Sequence, residues 1–202
     1  MQEEIRKLEP LKSAAEVLKN LEPTIKELQE NYKELDLLVH TMQVSSYDGT
    51  FVWKIPEVQR RIAEAKSGKT VSLYSAPFYT SRHGYKMCLR LYLDGDGTGK
   101  GTHLSFFLTL MKGEYDALLP WPFRQTISLV LLDQNRKKNI VQSFHPDPDS
   151  SSFQQPVNDM SVASGCPQFA PLSVLEDTSY VKNDTMFLQC RVDCSGLEKL
   201  YM

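Results

Sequence analysis

The stretch LYLDGDGTGKGTHLSFF, residues 91–107, is the best guide to the fold. Its centre, Asp94 to Gly101, contains four glycines, two aspartates and one lysine. Apolar side chains alternate before this centre, at Met87, Leu89 and Leu91, and the strand-like run THLSFFLTLM (102–111) follows it. Period-two alternation on both sides of a Gly-rich connector predicts two antiparallel strands joined as a hairpin.

Two ligand-binding interpretations of this loop fail on spacing. A phosphate loop needs G-x-x-x-x-G-K-[ST], but Gly99-Lys100 is followed by glycine, and Asp94 stands where the first glycine is required. The G-x-G-x-x-G pattern fails because the glycines recur at every second residue. In a calcium loop that begins at Asp94, Asp96 fits position three, but Ser105 occupies position twelve, where glutamate is required. The sequence therefore predicts neither a nucleotide nor a metal ligand here.

The composition is that of a globular protein without a strong charge bias. The 202 residues are 41% hydrophobic and 24% charged, with a net charge of −2. Bulk electrostatics therefore favour neither nucleic acid nor an anionic membrane. No apolar run approaches the ~20 residues of a membrane span, and the charged start MQEEIRKLEP differs from a secretory signal. We expect a cytoplasmic protein with no nucleic-acid partner and no direct membrane insertion.

The four cysteines predict free thiols and no zinc site. Cys88, Cys166, Cys190 and Cys194 form no C-x-x-C pair, and no histidine lies close in sequence to the last two. Small buried thiols in a reducing compartment explain them better than a metal or another cofactor.

Residues 1–46 contain no strand pattern and predict a helical segment. Apolar residues follow a heptad spacing and form a candidate oligomerisation seam of Ile25, Leu28, Tyr32, Leu35, Val39 and Met42. One alternative is an amphipathic helix packed on its own domain, but the narrow stripe favours a coiled coil. Pro10 and Pro23 bracket residues 11–20, and a proline inside a helix costs ~3 kcal/mol, so we expect interruptions there.

Residues 47–202 predict a separate β domain. Short apolar runs alternate with turn residues at FVWKI (51–55), VSLYS (71–75), the 85–111 hairpin, TISLVLLD (126–133), NIVQSF (139–144) and MFLQCRV (186–192). One short helix is predicted between the first two runs, beginning at Pro56 and capped by Gly68. Many short strands with one helix indicate an antiparallel β-sandwich.

Binding is better supported than catalysis. The G-x-S-x-G elbow is absent and no histidine pairs with a nucleophile by motif. Arg90 and Tyr92 share the strand face opposite the leucines, so they should point outward and could receive a carboxylate. Three serines, 150–152, follow Phe144 and precede Phe153. They form either an ordinary polar loop or a hydroxyl-lined slot for a polar side chain.

Several long motifs resemble one family. YDGTFVWKI, PFYTSRHGYKMCLRLYLDGDGTGKGTHLS, GEYDALLPWPF, LLDQ, SSSFQQPVNDMSVASGCP and YVKNDTMFL are similar, over about residues 47–193, to the C-terminal domain of the tumour-necrosis-factor-receptor-associated factors. The resemblance implies an eight-stranded antiparallel β-sandwich, the MATH fold, preceded by a trimeric coiled coil. It implies a non-enzymatic signalling adaptor without a cofactor, whose partners are adaptor proteins and receptor tails with extended P-x-Q-x-[ST/E] segments.

The resemblance also assigns roles to particular residues. It implies a peptide-binding set composed of Arg90, Tyr92, Asp96, Phe107, Phe144, Ser150, Ser151, Ser152, Phe153, Ser164, Gly165 and Cys166. The serines would grip a peptide glutamine, the phenylalanines would form an apolar wall, and residues 164–166 would pair with the peptide backbone. Asp94 departs from the asparagine usual in the family and adds a negative charge near a site for acidic peptides.

Two alternatives remain open at this stage. The domain could instead be the substrate-recruiting module of a ubiquitin ligase, but no ring-type zinc pattern is present in this sequence, so a ring domain would have to lie outside this chain. The oligomer would be a homotrimer or a mixed oligomer with other family members, although β-branched a positions with leucine at d lean towards dimers and Tyr32 fits that rule poorly.

Overall fold

The structure, a computed structural model, describes residues 2–197, apart from the side chains of 2–18, 37, 38, 40 and 42. It divides into two compact units. A helical unit ends at Val44, and a β unit begins at Ser45.

The helical unit is one continuous α-helix, α1, from Gln2 to Val44. The expected interruptions at Pro10 and Pro23 are wrong, because α1 runs through both prolines. Each proline removes one N–H from the helix, and at the exposed Pro23 water can bond the carbonyl that is left without a partner. Five predicted seam side chains are 44–70% exposed: Ile25, Leu28, Tyr32, Leu35 and Val39. The side chain of the sixth, Met42, lies outside the described set.

The β unit is a sandwich of two antiparallel sheets. One sheet has the order β1-β9-β6-β7, formed by Thr50–Pro56, Thr185–Val192, Ile127–Leu131 and Ile140–Phe144. The other has the order β2-β4-β5-β8, formed by Leu73–Tyr74, Lys86–Tyr92, His103–Met111 and Ser164–Pro171. The short β3, Phe78–Tyr79, also pairs with β4. If β2 and β3, which both pair with β4, are counted as one interrupted strand, the described residues form the eight strands of the expected sandwich.

Alternating apolar residues from both sheets fill the space between them. Leu89, Leu91, Phe106 and Leu108 face the core from the β4–β5 hairpin and are essentially inaccessible to water. The opposite sheet contributes the alternating residues of β1, β6 and β9, such as Leu188. Complete burial of such a side chain is worth about 1.5–3 kcal/mol, so this alternation sets the register of each strand.

The loop that opens the sequence is the tip of the predicted hairpin. β4 and β5 pair antiparallel, with Arg90 opposite Phe107. A short 3-10 turn, Gly97–Gly99, shapes the tip. The ammonium group of Lys100 lies 2.9 Å from a carboxylate oxygen of Asp94. The extra negative charge expected from Asp94 is therefore balanced within the loop.

Some local predictions differ from the structure. Pro56 is the last residue of β1, and the short helix α2 runs from Val58 to Lys66 after Glu57, which has a positive φ of 57°. Gly68 follows α2 with a φ of +78°, as expected of a residue after a helix. The alternation pattern did not identify β8, because its sequence SGCPQFAP contains glycine and two prolines.

Within the described part of the chain, no helix combines the length and apolarity needed to cross a lipid bilayer.

Candidate peptide-binding site

The outer face of the five-stranded sheet carries a row of large side chains. Tyr74 of β2 is directly opposite Arg90 of β4, and Arg90 is directly opposite Phe107 of β5. Residues directly opposite in an antiparallel pair share one face of the sheet. The two strand pairings therefore bring together a tyrosine, an arginine and a phenylalanine that are distant in sequence.

Arg90 is held between two aromatic rings. The central carbon of its guanidinium lies 5.0 Å from the ring centroid of Tyr74 and 4.8 Å from that of Tyr92. Its Nε donates a hydrogen bond of 3.1 Å to the hydroxyl of Ser72. Cation–π contacts at partly exposed sites are worth roughly 0.5–1 kcal/mol each. The guanidinium is thus oriented by protein contacts, and its terminal nitrogens remain available to a ligand.

Tyr92 lies on the predicted outer face of the sheet, together with Arg90 and Phe107, but its ring is not open to solvent. The residue is only 6% exposed, because Arg90 and Phe107 cover its ring; the two aromatic rings make an edge contact with centroids 5.8 Å apart. Burial raises the pKa of the Tyr92 hydroxyl, and the nearby carboxylate of Asp96 raises it further, while the positive charge of Arg90 acts in the opposite direction. Tyr92 is therefore a neutral hydroxyl at physiological pH.

The hairpin tip is docked on β8. The hydroxyl of Ser105 donates to the carbonyl of Pro167 at 2.6 Å and accepts from the amide of Asp96 at 2.7 Å. A Cβ on Gly99 would lie 1.9 Å from the same Pro167 carbonyl, so only glycine permits this approach. These contacts set the position of the exposed Asp96 next to β8 and beside Tyr92.

The edge strand β8 is bound on one side only. Ser164, Gly165 and Cys166 pair with Leu108, Phe107 and Phe106 of β5, and β8 ends the order of its sheet. A Cβ on Gly165 would come within 2.5 Å of the carbonyl oxygen of Phe106. The opposite edge of these three residues is not taken up by another strand of the described chain, so it can accept an added strand.

The serine segment forms a separate surface that lies against β5, the strand paired with β8. Ser151–Phe153 is a 3-10 turn, and the Ser150 hydroxyl accepts a hydrogen bond from the amide of Ser152 at 3.3 Å. The turn lies against β5, and its Phe153 ring is 6.5 Å from that of Phe144 on β7. Ser151 is exposed, Ser150 is half-buried and Ser152 is only 8% exposed. The Ser150 and Ser151 hydroxyls are therefore the more accessible ones.

The pairing of the strands also brings two residues to the candidate site that the sequence analysis missed. Ser72 and Tyr74 contact Arg90 directly. Their spacing of two matches that of Arg90 and Tyr92, which is the one signal available in the sequence. That signal becomes informative only when the register of β2 on β4 is known.

The described residues contain no cluster of histidine, cysteine, aspartate and glutamate suited to a metal ion. All four cysteines are free thiols. Burial raises the pKa of Cys88 to about 11 and also raises the pKa of Cys190 and of the half-buried Cys166 at the β8 edge. None of these thiols is an activated nucleophile.

Comparison with known proteins places this sandwich in a defined class. The family model for the TRAF/meprin MATH domain matches residues 70–189. The β unit is therefore a MATH domain, in agreement with the two antiparallel sheets described above.

The relatives specify the class further. The chain is 58% identical over 156 residues to human TNF receptor-associated factor 1, covering 76% of this chain and 38% of that protein. It is 54% identical over 165 residues to human TNF receptor-associated factor 2, covering 81% and 33%. A solved TRAF5 structure from Notothenia coriiceps superposes with a TM-score of 0.87 at 39% identity, covering 100% of this chain and 99% of that one.

The chain belongs to the TNF-receptor-associated factor family. It spans only about a third of the length of these two human relatives. The matched family model and relatives indicate no catalytic class.

Proposed function

We propose that this chain is the peptide-binding and oligomerising part of a cytoplasmic signalling adaptor, and that its ligands are extended P-x-Q-x-[ST/E] segments of TNF-receptor-superfamily tails and related adaptors. The free edge of β8 is the observation that supports this function most directly. Arg90, with Tyr74 and Tyr92, lies on the same sheet, and the serine turn lies against the neighbouring β5. An extended peptide added to that edge would gain backbone hydrogen bonds, while side-chain contacts would provide specificity.

Each part of the site has a distinct task in this proposal. The backbone of residues 164–166 would bond the peptide main chain. The Ser150 and Ser151 hydroxyls would meet the two ends of the glutamine amide, since a hydroxyl both donates and accepts. The guanidinium of Arg90 would receive the acidic or hydroxyl group of the last motif position.

Oligomerisation would compensate for a weak single site. A short peptide covers little surface, so one site alone would bind weakly. A trimer formed through α1 would present three such sites to clustered receptor tails, and the linked sites can increase the apparent affinity by roughly 10²–10⁴.

Calorimetric titration with a ten-residue peptide that contains Pro-x-Gln-x-Glu tests the proposal. We expect saturable binding that is strongly weakened when the proline and glutamine are both replaced by alanine. The peptide concentration is raised to near 1 mM, which corresponds to a binding free energy of about −4 kcal/mol. If neither heat nor an NMR shift at residues 164–166 is seen at that concentration, this ligand class is ruled out.

A further inference from the structure

A second surface lies on the other sheet, around the loop Asp133–Asn139 that joins β6 to β7. The buried carboxylate of Asp133 organises this loop. It accepts hydrogen bonds from the backbone amides of Asn135 at 2.7 Å, Lys137 at 3.0 Å and Lys138 at 2.8 Å. The loop is thus wrapped around a carboxylate of its own, and these amides are not available to an external anion.

Further contacts hold the loop from outside. The Tyr180 hydroxyl donates to the carbonyl of Lys138 at 2.9 Å, and the amide side chain of Asn135 donates to the hydroxyl of Ser179 at 3.2 Å. The side chain of Gln134 donates to the carbonyl of Tyr180 at 2.9 Å. The Asp133 carboxylate, backbone groups and uncharged side chains therefore define the loop shape, and the cationic side chains are not needed for it.

Three cations project from this rigid loop. Arg136, Lys137 and Lys138 are all exposed, and none of them forms an ion pair with another described residue. The backbone of Arg136 has a positive φ of 58°, a conformation that is uncommon for residues other than glycine. This backbone conformation sets the direction in which the Arg136 side chain leaves the loop. Three adjacent positive charges on a preorganised loop favour a negatively charged partner.

An apolar floor lies next to these charges. The loop borders a concavity of about 400 Å³ that is also lined by the half-buried Leu132 and Phe187. Phe187 is opposite Lys54 of β1, so a fourth exposed cation lies on the far side of the floor. The surface therefore offers a recess for one apolar side chain with positive charges on both sides.

We propose that this concavity is a second binding site, and that its ligand is an acidic peptide segment with one large apolar side chain. The apolar side chain would contact Leu132 and Phe187, and carboxylates on either side of it would meet the loop cations and Lys54. A free phosphate is disfavoured because Asp133 already occupies the loop amides. A flat anionic membrane would leave the recessed apolar floor unfilled.

This surface is separate from the proposed receptor-tail site. Phe144 and the serine turn lie at one end of β7, and the basic loop lies at the other. The two ends of this five-residue strand are about 13 Å apart at ~3.3 Å per residue. Two different peptide segments, or two parts of one partner, could therefore bind at the same time.

Fluorescence anisotropy with a panel of fluorescein-labelled ten-residue peptides tests the inference. Each peptide carries six Asp or Glu residues and one central Leu or Phe, and each has a partner in which Asn and Gln replace the acids. The test variant combines Arg136→Ala, Lys137→Ala and Lys138→Ala. The matched control combines Arg60→Ala, Lys66→Ala and Lys69→Ala on or just after α2, which removes the same charge from another exposed surface.

We expect at least one acidic peptide to bind the unmodified chain and to lose about tenfold in affinity, or ~1.4 kcal/mol, with the test variant. The control variant should change the affinity less than twofold, and the uncharged peptides should bind weakly to all three proteins. One further acidic peptide carries Gln in place of the central Leu. Phe187→Gln should lower the affinity for the peptide with central Leu more than the affinity for the peptide with central Gln.

Three results would overturn the inference. One is a panel in which no acidic peptide distinguishes the test variant from the control. Another is an equal loss of affinity, caused by Phe187→Gln, for the peptides with central Leu and central Gln. The third is a charge-dependent loss seen only with vesicles that contain about 30% phosphatidylserine, because basic clusters of this kind also attract anionic lipid surfaces.

Discussion

At the scale of single residues, Arg90 shows how the fold orients a charged group. The contacts with Tyr74, Tyr92 and Ser72 restrict a long side chain that would otherwise sample many rotamers. Immobilising such a side chain on binding costs about 0.5–1.5 kcal/mol, and here folding has already met that cost. The guanidinium should therefore discriminate between charged and neutral peptides better than a free surface arginine.

Arg90→Ala should weaken a peptide with glutamate at the last motif position more than the same peptide with glutamine. A charge-assisted hydrogen bond is worth about 1.5–3 kcal/mol and its neutral counterpart about half as much. Calorimetric titration of this matched peptide pair measures the difference. Arg90→Lys serves as the control, since it keeps the charge and loses the planar stacking on two rings. Equal losses for both peptides would remove Arg90 from its proposed role.

Gly165→Ala tests the close pairing of β8 with β5. The added Cβ would lie 2.5 Å from the carbonyl oxygen of Phe106 and 2.8 Å from the Cα of Phe107, so the strands must separate. We expect a loss of roughly 1–3 kcal/mol in the free energy of unfolding, measured by urea denaturation. Ser164→Ala is the neighbouring control and should leave the unfolding midpoint nearly unchanged. An unchanged midpoint for Gly165→Ala would show that β8 pairs less tightly than described.

At the scale of elements, the serine turn has a structural part and an accessible part, and the proposed function assigns peptide binding to the accessible part. Ser150 caps the turn through its hydroxyl, and Ser152 is buried, so one of the three side chains is largely withdrawn from a ligand. The exposed Ser151 has no comparable structural contact among the described hydrogen bonds. When the three serines are replaced, the loss of the Ser150 and Ser151 hydroxyls should therefore account for most of the decrease in peptide affinity.

The combined change of Ser150, Ser151 and Ser152 to alanine should lower single-peptide affinity at least about tenfold, or ~1.4 kcal/mol. A desolvated glutamine amide without partners costs roughly 1–3 kcal/mol, which sets this magnitude. The loss should shrink when the peptide glutamine is replaced by leucine, because the two groups interact directly. A double-mutant cycle on monovalent peptides measures this coupling. Additive losses would return residues 150–152 to the role of an ordinary polar loop.

The loop around Asp133 makes a pH-dependent contribution to stability. Hydrogen bonds from loop amides, that of Lys138 first, lower the pKa of Asp133 below its ordinary value. A carboxylate with a lowered folded-state pKa stabilises the fold above the ordinary aspartate pKa of about 4, and this contribution is lost as the pH falls through the folded-state value. Asp133→Asn should therefore lower the urea midpoint most at pH 7, and the difference should shrink by pH 3. A pH-independent difference would contradict the assigned hydrogen bonds.

The elements differ in how well sequence alone could predict them. β4 and β5 were predicted correctly because their inner-face leucines and phenylalanines alternate with period two. β8 could not be found in this way, because its sequence contains glycine and two prolines, which give no alternating hydrophobic signal. The burial of Tyr92 could not be predicted either, because alternation gives the face of a strand but not the neighbours that cover it.

At the scale of the whole molecule, exposed apolar residues on α1 support self-association. Five seam residues expose much of their side chains along a helix that carries mostly polar residues elsewhere. The heptad spacing and family membership were available from the sequence. The number of chains in the oligomer could not be predicted from the sequence, because the residues at the a and d positions of the heptad do not match the pattern of a single oligomeric state.

Leu28→Asp combined with Leu35→Asp should break the oligomer, since unpaired charges in a packed seam are strongly unfavourable. Multi-angle light scattering should give three times the protomer mass of 23.1 kDa for the unmodified chain and a single protomer mass for the variant. Glu27→Asp combined with Glu34→Asp, between seam positions, is the control. An unmodified chain that elutes with the mass of one protomer would refute the trimer. The affinity for a monovalent peptide should be the same for the variant and the unmodified chain.

The four free thiols give the protein a built-in set of chemical reporters. Cys166 lies at the half-buried edge of β8, so alkylation by iodoacetamide should slow when a peptide covers that edge. Cys190 is completely enclosed in the core, and a reagent can reach it only when the sandwich opens. The labelling rates of these two cysteines would therefore report ligand occupancy and global unfolding separately, in one experiment and without an engineered cysteine.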